Sequence, residues 1–377
     1  MLVWLLANTL RYPQGGGHRW VYLNWALGLR SLGCEVVWLE RVQSKNTSRE
    51  ELSQLLAALR SALEPFCLGD RIALCSHPED PILQVASPEW IDIAAAGEAD
   101  LLLDMDYLTW PHVTGRFRRS ALIDIDPGLS QSLRIVKSYR DLAPHDVYFS
   151  IGETVGQPGS LIPDLGLKWH YTPPCVHLES WPVHPAPNGA PFTTVSHWNE
   201  SSVIADDRGD YVNDKRQAFR PYLDLPTHTD QPLELALCLG TDSDNDEKEL
   251  RGFGWNVRQA WDVAANCGDY QRYIQNSKGE FSAAKPLCLR LQNAWVSDRS
   301  ICYLASGKPV IVENTGPSRF LPDAEGLFRF HTIEEAAQML DAVAADYERQ
   351  CRLARALAAE YFDAKKNLAS VLERALG

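Results

Sequence analysis

The sequence predicts two doubly wound parallel α/β domains that face one another across a cleft. Three observations carry this. An apolar strand, a glycine-rich loop, an amphipathic helix and a second apolar strand follow in order at the N-terminus; the same alternation restarts after residue 190; and a proline-rich passage separates the two. The length of 377 residues agrees, because it exceeds one ordinary core and suits two domains of about 150–200 residues.

Met1 to Ala7, MLVWLLA, reads as a buried strand, far shorter than the roughly 20 residues of a membrane span. NTLRYPQGGGH follows, then RWVYLNWALGLRSLG with helical apolar spacing and a glycine stop, then CEVVWLE. Such an order makes a βαβ unit and a parallel strand pair. SREELSQLLAALRSALEPF is a capped amphipathic helix, with Ser48 as N-cap and Glu51 three residues on. ADLLLDMDYL and RSALIDIDPG are further buried strands that release acidic residues at their C-terminal ends, and DVYFSIG is a short one. Residues 1–185 are thus expected to form the first domain. The linker is placed in PPCVHLESWPVHPAPNGAP, where His177, like His170 just before it, is expected to serve hinge packing. The second domain is expected over residues 186–355. Its strands are FTTVSHW, LELALCLG, KPVIVEN and GLFRF, and a helical tail follows.

Net charge is −13, from 36 basic and 49 acidic residues, which argues against broad nucleic-acid or anionic-membrane binding while leaving room for a local basic pocket. Nine cysteines show no C-x-x-C pair and no His at metal-ligand spacing. Reduced thiols, a cytoplasmic location and no metal are therefore expected, with Cys238, Cys288 and Cys302 in the core. No basic region precedes the first apolar run, so a signal peptide is not expected.

Chemistry concentrates in SDRSICYLASGKPVIVENTG, residues 297–316. With Ser297 as N-cap, the unpaired N–H groups of that helix suit an anion; Arg299 adds a forked donor for a diphosphate and Ser300 a hydroxyl. The plain alternative makes Ser-Asp a simple cap and Arg299 a surface ion pair. The helix stops at Gly307, Pro309 forbids its continuation, and a buried strand follows. Gly15, Gly16 and Gly17 in GGGH would let backbone approach a ligand at a helix start. They lack the dinucleotide spacing and no Lys-Ser/Thr follows, so neither NAD nor P-loop ATP chemistry is indicated. KGEFSAAK reads either as an exposed charged loop or as donor contacts, and LGTDSDND as a solvated acidic loop.

Taken together, DYQRYIQNSKGEFSAAK, WVSDRSICYLASGKPVIVENTG, LPDAEGLFRFHTIEEA and ARALAAEYFDAKKNLASVLERAL resemble one subgroup of bacterial GT-B glycosyltransferases. Its members carry S-R-x-E-F-x-x-A-K and D-R-S-x-x-Y-L-A-S-G-(K/R)-P-V segments. The resemblance covers roughly residues 190–377 and extends to the first half in layout. It implies a nucleoside diphosphate sugar, UDP-linked by expectation, on the second domain. Asp298, Arg299 and Ser300 would face ribose and diphosphate, with Ser277, Glu280 and Lys285 beside them. Asn314, Thr315 and Gly316 would shape the sugar end, and His197 and Trp198 would stand at a strand end. His18 resembles the base of inverting members, oriented by a carboxylate among Asp104, Asp106, Asp124 and Asp126, with Asp106 and Asp126 preferred; the plain alternative is that it only caps the loop or touches a phosphate. Glu153 is a further acceptor-binding candidate. The ribose-binding Glu of many members is here Cys302. The tail over 356–377 would cross back to the first domain. The implied activity is metal-independent transfer of a sugar to a hydroxyl-type acceptor, with the acceptor and oligomeric state left open. A nucleotide-sugar 2-epimerase or a non-catalytic sugar- or nucleotide-binding protein is the alternative.

Overall fold

A computed structural model describes residues 1–377 apart from 43–46, 81–88, 132–141, 200–202, 207–208 and 241–243. Seven parallel strands form the first sheet: β1 (Leu2–Ala7), β2 (Glu35–Arg41), β3 (Ile72–Cys75), β4 (Leu101–Asp104), β5 (Ser120–Asp124), β6 (Val147–Ser150) and β7 (Trp169–Tyr171). Their spatial order is β3-β2-β1-β4-β5-β6-β7. Helical crossovers cover both faces of a parallel sheet, which is why these strands read as continuous apolar runs rather than alternating ones. Helix α1 (Gly16–Ser31) covers one face, and α2 (Arg49–Leu63) starts at Ser48, whose Oγ accepts Glu51 N at 3.1 Å.

The second sheet has six parallel strands in the order β12-β11-β8-β13-β14-β15. They are β8 (Phe192–His197), β11 (Leu233–Cys238), β12 (Asn256–Gln259), β13 (Gly279–Ser282), β14 (Val310–Glu313) and β15 (Leu327–Phe330). A small antiparallel hairpin, β9 (Val203–Asp206) and β10 (Gly209–Val212), follows β8. Strand order reverses between β1 and β4 in one sheet and between β8 and β13 in the other. Open α/β sheets bind ligands outside the strand C-termini at such points.

One open alternative is decided here and one expectation fails. KGEFSAAK is no exposed loop: Gly279–Ser282 is the fully buried β13, where a side chain on Gly279 would stand 2.5 Å from the Pro309 carbonyl. The acidic run, in so far as it lies within the described residues, begins helix α5 (Asp244–Gly252), where carboxylates complement the positive helix start. Its Asp246 is buried and accepts Trp198 Nε1 at 2.9 Å.

The passage between the domains is packed. Trp181 is fully buried, with its ring 4.7 Å from Trp20 of α1 and 6.2 Å from Tyr270 of the second domain. His177 bonds Ser31 and Ser180, and His170 meets Arg374 at 2.8 Å. The tail ends in Ala364–Leu376, which lies on α1. Gly28 allows that contact, since a side chain there would meet Ala364 and Leu368 within 2.7 Å. Val176 and the backbone around Asp363 exchange two hydrogen bonds, and Arg119 Nε donates to Ala375 O. Of the three cysteines assigned to the core, Cys302 is buried and Cys238 and Cys288 are half-buried. Among the described residues no helix is long and apolar enough to cross a membrane.

Candidate active site

A cavity of about 460 Å³ lies between the domains, at the strand ends just named. On the second-domain wall, α9 (Asp298–Ala305) starts at Ser297, whose Oγ accepts Arg299 N at 3.2 Å. The Arg299 guanidinium sits between the two strands of the reversal. Nη1 donates to Val195 O of β8 at 3.2 Å, Nη2 to Ser282 Oγ of β13 at 2.9 Å, and Nε to Glu280 Oε1 at 2.7 Å. Arg299 does form an ion pair, but a buried one: the Glu280 side chain is 0% exposed. Glu280 therefore anchors the arginine and is sealed from a ribose.

A smaller recess continues the cavity past Arg299 to Ser300, Glu313 and Thr315. It contains Lys215, which the sequence reading missed. Lys215 opens helix α4 (Lys215–Phe219), is buried, and donates from Nζ to Ser282 Oγ at 3.1 Å and to the Ala283 carbonyl. Burial, reinforced by Arg299 and Lys285, lowers its pKa to about 7. Glu313 accepts Tyr222 Oη at 2.6 Å and Ala284 N at 2.9 Å, and burial raises its pKa. Asp298, at the start of α9, is pushed up to about 7 by burial and by Asp126. Cys302 lines the cavity, and its Sγ donates to Asp298 O at 3.2 Å.

The other donor candidates are placed as follows. His197 is exposed on the cavity wall. Trp198 is buried against Phe219, and Ser277 is buried at the opposite end of β13, bonded to Tyr273 O at 2.8 Å. Asn314, Thr315 and Gly316 form a turn in which Gly316 N donates to Asn314 Oδ1 at 2.8 Å and Thr315 Oγ1 to Trp295 O at 2.8 Å. Gly316 has φ +113°, and a side chain there would strike the Gln292 backbone. Lys285 is the N-cap of α8 (Pro286–Leu291), close enough to Lys215 to depress its pKa. Trp261, unforeseen, stands 45% exposed on the cavity wall.

Backbone and histidine build the facing wall. Buried Glu40 at the end of β2 accepts Thr9 N at 2.9 Å, Leu10 N at 3.3 Å and Trp38 Nε1 at 2.8 Å, fixing the loop after β1. That loop points the Asn8 carbonyl at His18 Nε2, 2.7 Å away. A carbonyl only accepts, so Nε2 carries the proton and Nδ1 is the ring's basic atom. Burial lowers the His18 pKa, against the Asn8 carbonyl and Asp126, and the ring is neutral at pH 7. The atom touching the ring is thus a carbonyl rather than a carboxylate.

Asp126 is exposed, acts on His18 through space and accepts Tyr107 Oη at 2.5 Å. Asp106 is taken by Arg41, whose Nε lies 2.5 Å from Oδ2. Asp104 pairs with His145 Nε2 at 3.0 Å, and Asp124 accepts Ser130, Gln131 and Ser150. Glu153 joins the domains, accepting Ser318 Oγ and Arg319 N at 2.5 Å each. Of the three glycines, Gly15 lies beside Tyr12 and His18. Gly16 and Gly17 press on the second domain: a side chain on Gly16 would stand 2.2 Å from Asn266 O, and one on Gly17 2.5 Å from the Tyr270 ring.

No family model and no curated protein matches the chain. Solved structures do. HepE from Anabaena in complex with UDP-glucose is 13% identical with a TM-score of 0.59, over 99% of this chain and 100% of that one. A glycosyltransferase from Rickettsia africae ESF-5 is 10% identical with a TM-score of 0.57, over 99% and 97%. Sucrose-phosphate synthase from Thermosynechococcus elongatus is 12% identical with a TM-score of 0.55, over 99% and 98%. With two facing parallel-sheet domains matched along their whole length, the chain has the GT-B fold.

Proposed function

We propose that the protein is a glycosyltransferase that moves a sugar from UDP to a hydroxyl of an acceptor. The observation that carries this is the pairing across one cavity of an anion-seeking wall with a basic one. The first wall holds the α9 start, Arg299 and Lys215; the second holds His18. The fold match to a protein solved with UDP-glucose supports the choice of donor.

In this reading the diphosphate lies at the start of α9. As the bond from the anomeric carbon to the phosphate oxygen breaks, negative charge collects on the departing UDP. Arg299 and Lys215 stabilise it from fixed positions, supplying charge that a metal ion provides elsewhere. The acceptor oxygen bonds to the same carbon and gives its proton to His18 Nδ1. Trp261 offers an aromatic face to the base, and Ser300, Asn314 and Thr315 border the sugar.

The test is a thermal-shift titration with UDP and UDP-glucose, with and without a chelator. At 100 times its dissociation constant a ligand stabilises by about 2.7 kcal/mol, a shift of a few degrees for a protein of this size. We expect that shift to persist in chelator. Its absence with both ligands would remove UDP as the donor carrier, and its loss in chelator would remove metal independence.

A further inference from the structure

A second cavity, of about 450 Å³, lies between the two domains on the same rim as the first. Its first-domain wall is the loop after β6, from Glu153 to Leu161, and its second-domain wall is the end of α8 and the turn after β14. The size is that of a small-ligand pocket, about 300–1,000 Å³. The loop after β5 runs between the two cavities. At one end of it Asp126 acts on His18; at the other a side chain on Gly128 would stand 2.0 Å from Leu291, which lines the second cavity.

The chemistry here differs from that of the donor wall. Arg319 is the only cation among the described lining residues. Its Nε donates to Glu153 Oε1 at 3.2 Å and its Nη2 to Glu153 O at 3.0 Å. The guanidinium is thereby fixed with its side chain 55% exposed, and its charge is answered within the protein. An anion finds no unmatched cation in this place. What remains for a ligand is neutral. Gln157 Oε1 takes Arg319 Nη1 at 3.5 Å, and Gln292 Nε2 donates to Leu289 O at 2.7 Å. One amide so keeps a donor end and the other an acceptor end. Leu161 is exposed on the same wall, and Phe320 beside Arg319 is 51% exposed. The Phe320 ring stacks on Tyr171, centres 4.9 Å apart at 17°. Amides and a fixed guanidinium next to apolar faces suit the alternating hydroxyls and C–H faces of sugar rings.

We propose that this cavity binds the remote sugars of an oligosaccharide acceptor, whose terminal hydroxyl reaches His18 past the loop after β5. The proposal rests on the glycosyl-transfer reading for calling the ligand an acceptor, and names its chemical class.

The experiment titrates the full-length protein, with and without saturating UDP, with glucose, maltotriose, cellotriose and laminaritriose by calorimetry. We expect at least one trisaccharide to bind about tenfold or more tightly than glucose. Gln157→Ala and Phe320→Ala should each weaken that binding about threefold to tenfold, the worth of one neutral hydrogen bond or one aromatic contact, and leave UDP affinity unchanged. No trisaccharide preferred over glucose, or a preference that neither variant reduces, overturns the proposal. UDP binding is read separately in the same samples. Its failure alone strikes the donor reading, whereas failure of the trisaccharide response alone strikes this one.

Discussion

The two walls of the cleft solve the same task, holding a group at a strand end, by opposite means. On the second domain a guanidinium is locked by three hydrogen bonds and a fully buried carboxylate, so position and charge come together. On the first domain the histidine has one carbonyl against it, and its loop is held by backbone N–H groups converging on Glu40. Charge fixes one wall and backbone the other. The contrast teaches that the donor side should fail through unpaired charge, whereas the acceptor side should fail through lost chemistry or lost clearance.

The largest effect follows from breaking the charged wall. Arg299→Ala leaves Glu280 buried without its cation, which should cost about 3–5 kcal/mol of stability together with UDP binding. Adding Glu280→Leu should restore most of the stability and none of the binding. Denaturant melts with UDP titrations separate the two losses. If the single variant unfolds at the wild-type denaturant midpoint, the charge-anchoring account of this wall is wrong.

His18→Ala should strike chemistry alone. Turnover should drop about 10²-fold or more with UDP affinity nearly unchanged. Because burial depresses the His18 pKa below 6.5, the acid limb of the rate profile should fall below that value. The sign for stability is the same. The unfolded chain takes up this proton first as pH falls through 6.5, so the contribution of His18 declines as the solution becomes acidic. A variant that turns over like wild type would remove the base from this wall.

These contrasts also mark what the sequence could disclose. Strands buried on both faces announce themselves as apolar runs, so β1, β4, β5, β8, β11 and β14 were legible, and the cap at Ser297 with the stop at Gly307 located α9 and the donor side of the cleft. Strand β13 was hidden because its Glu280 is neutralised by a residue 19 positions later, a pairing that spacing does not display. Lys215 was hidden for a related reason. A lysine in a polar run reads as surface, and only the arrival of β13 buries it. The glycines show the other kind of limit. Gly-Gly-Gly signals close approach but not to what, and two of the three approach the second domain.

That last point gives a steric test of the backbone wall. Gly16→Ala brings a methyl group to 2.2 Å from the Asn266 carbonyl, and should cost about 1–3 kcal/mol by prising the domains apart. Gly15→Ala meets Tyr12 and His18 at 3.1–3.3 Å and should cost less in melting temperature while disturbing turnover more. The reverse ranking in thermal melts would mean that the glycine loop serves the ligand before the interface.

The smallest effect sharpens the donor side. With its pKa near 7, Lys215 is largely neutral at pH 8 in the free protein, and a diphosphate placed beside it would favour the charged form. UDP binding at pH 8 should therefore take up a fraction of a proton, seen as a binding enthalpy that differs between Tris and Hepes. Lys215→Met should reduce that difference to the part Asp298 contributes and weaken UDP about tenfold, the worth of one charge-assisted bond. The linked stability runs with the depressed pKa. Between about 7 and 10.5 the unfolded chain holds a proton that folded Lys215 releases, so stability from this residue rises with pH across that window and Lys215→Met should flatten the rise. Wild-type binding enthalpies that agree in both buffers would place the diphosphate away from Lys215 and leave Arg299 and the start of α9 to hold it.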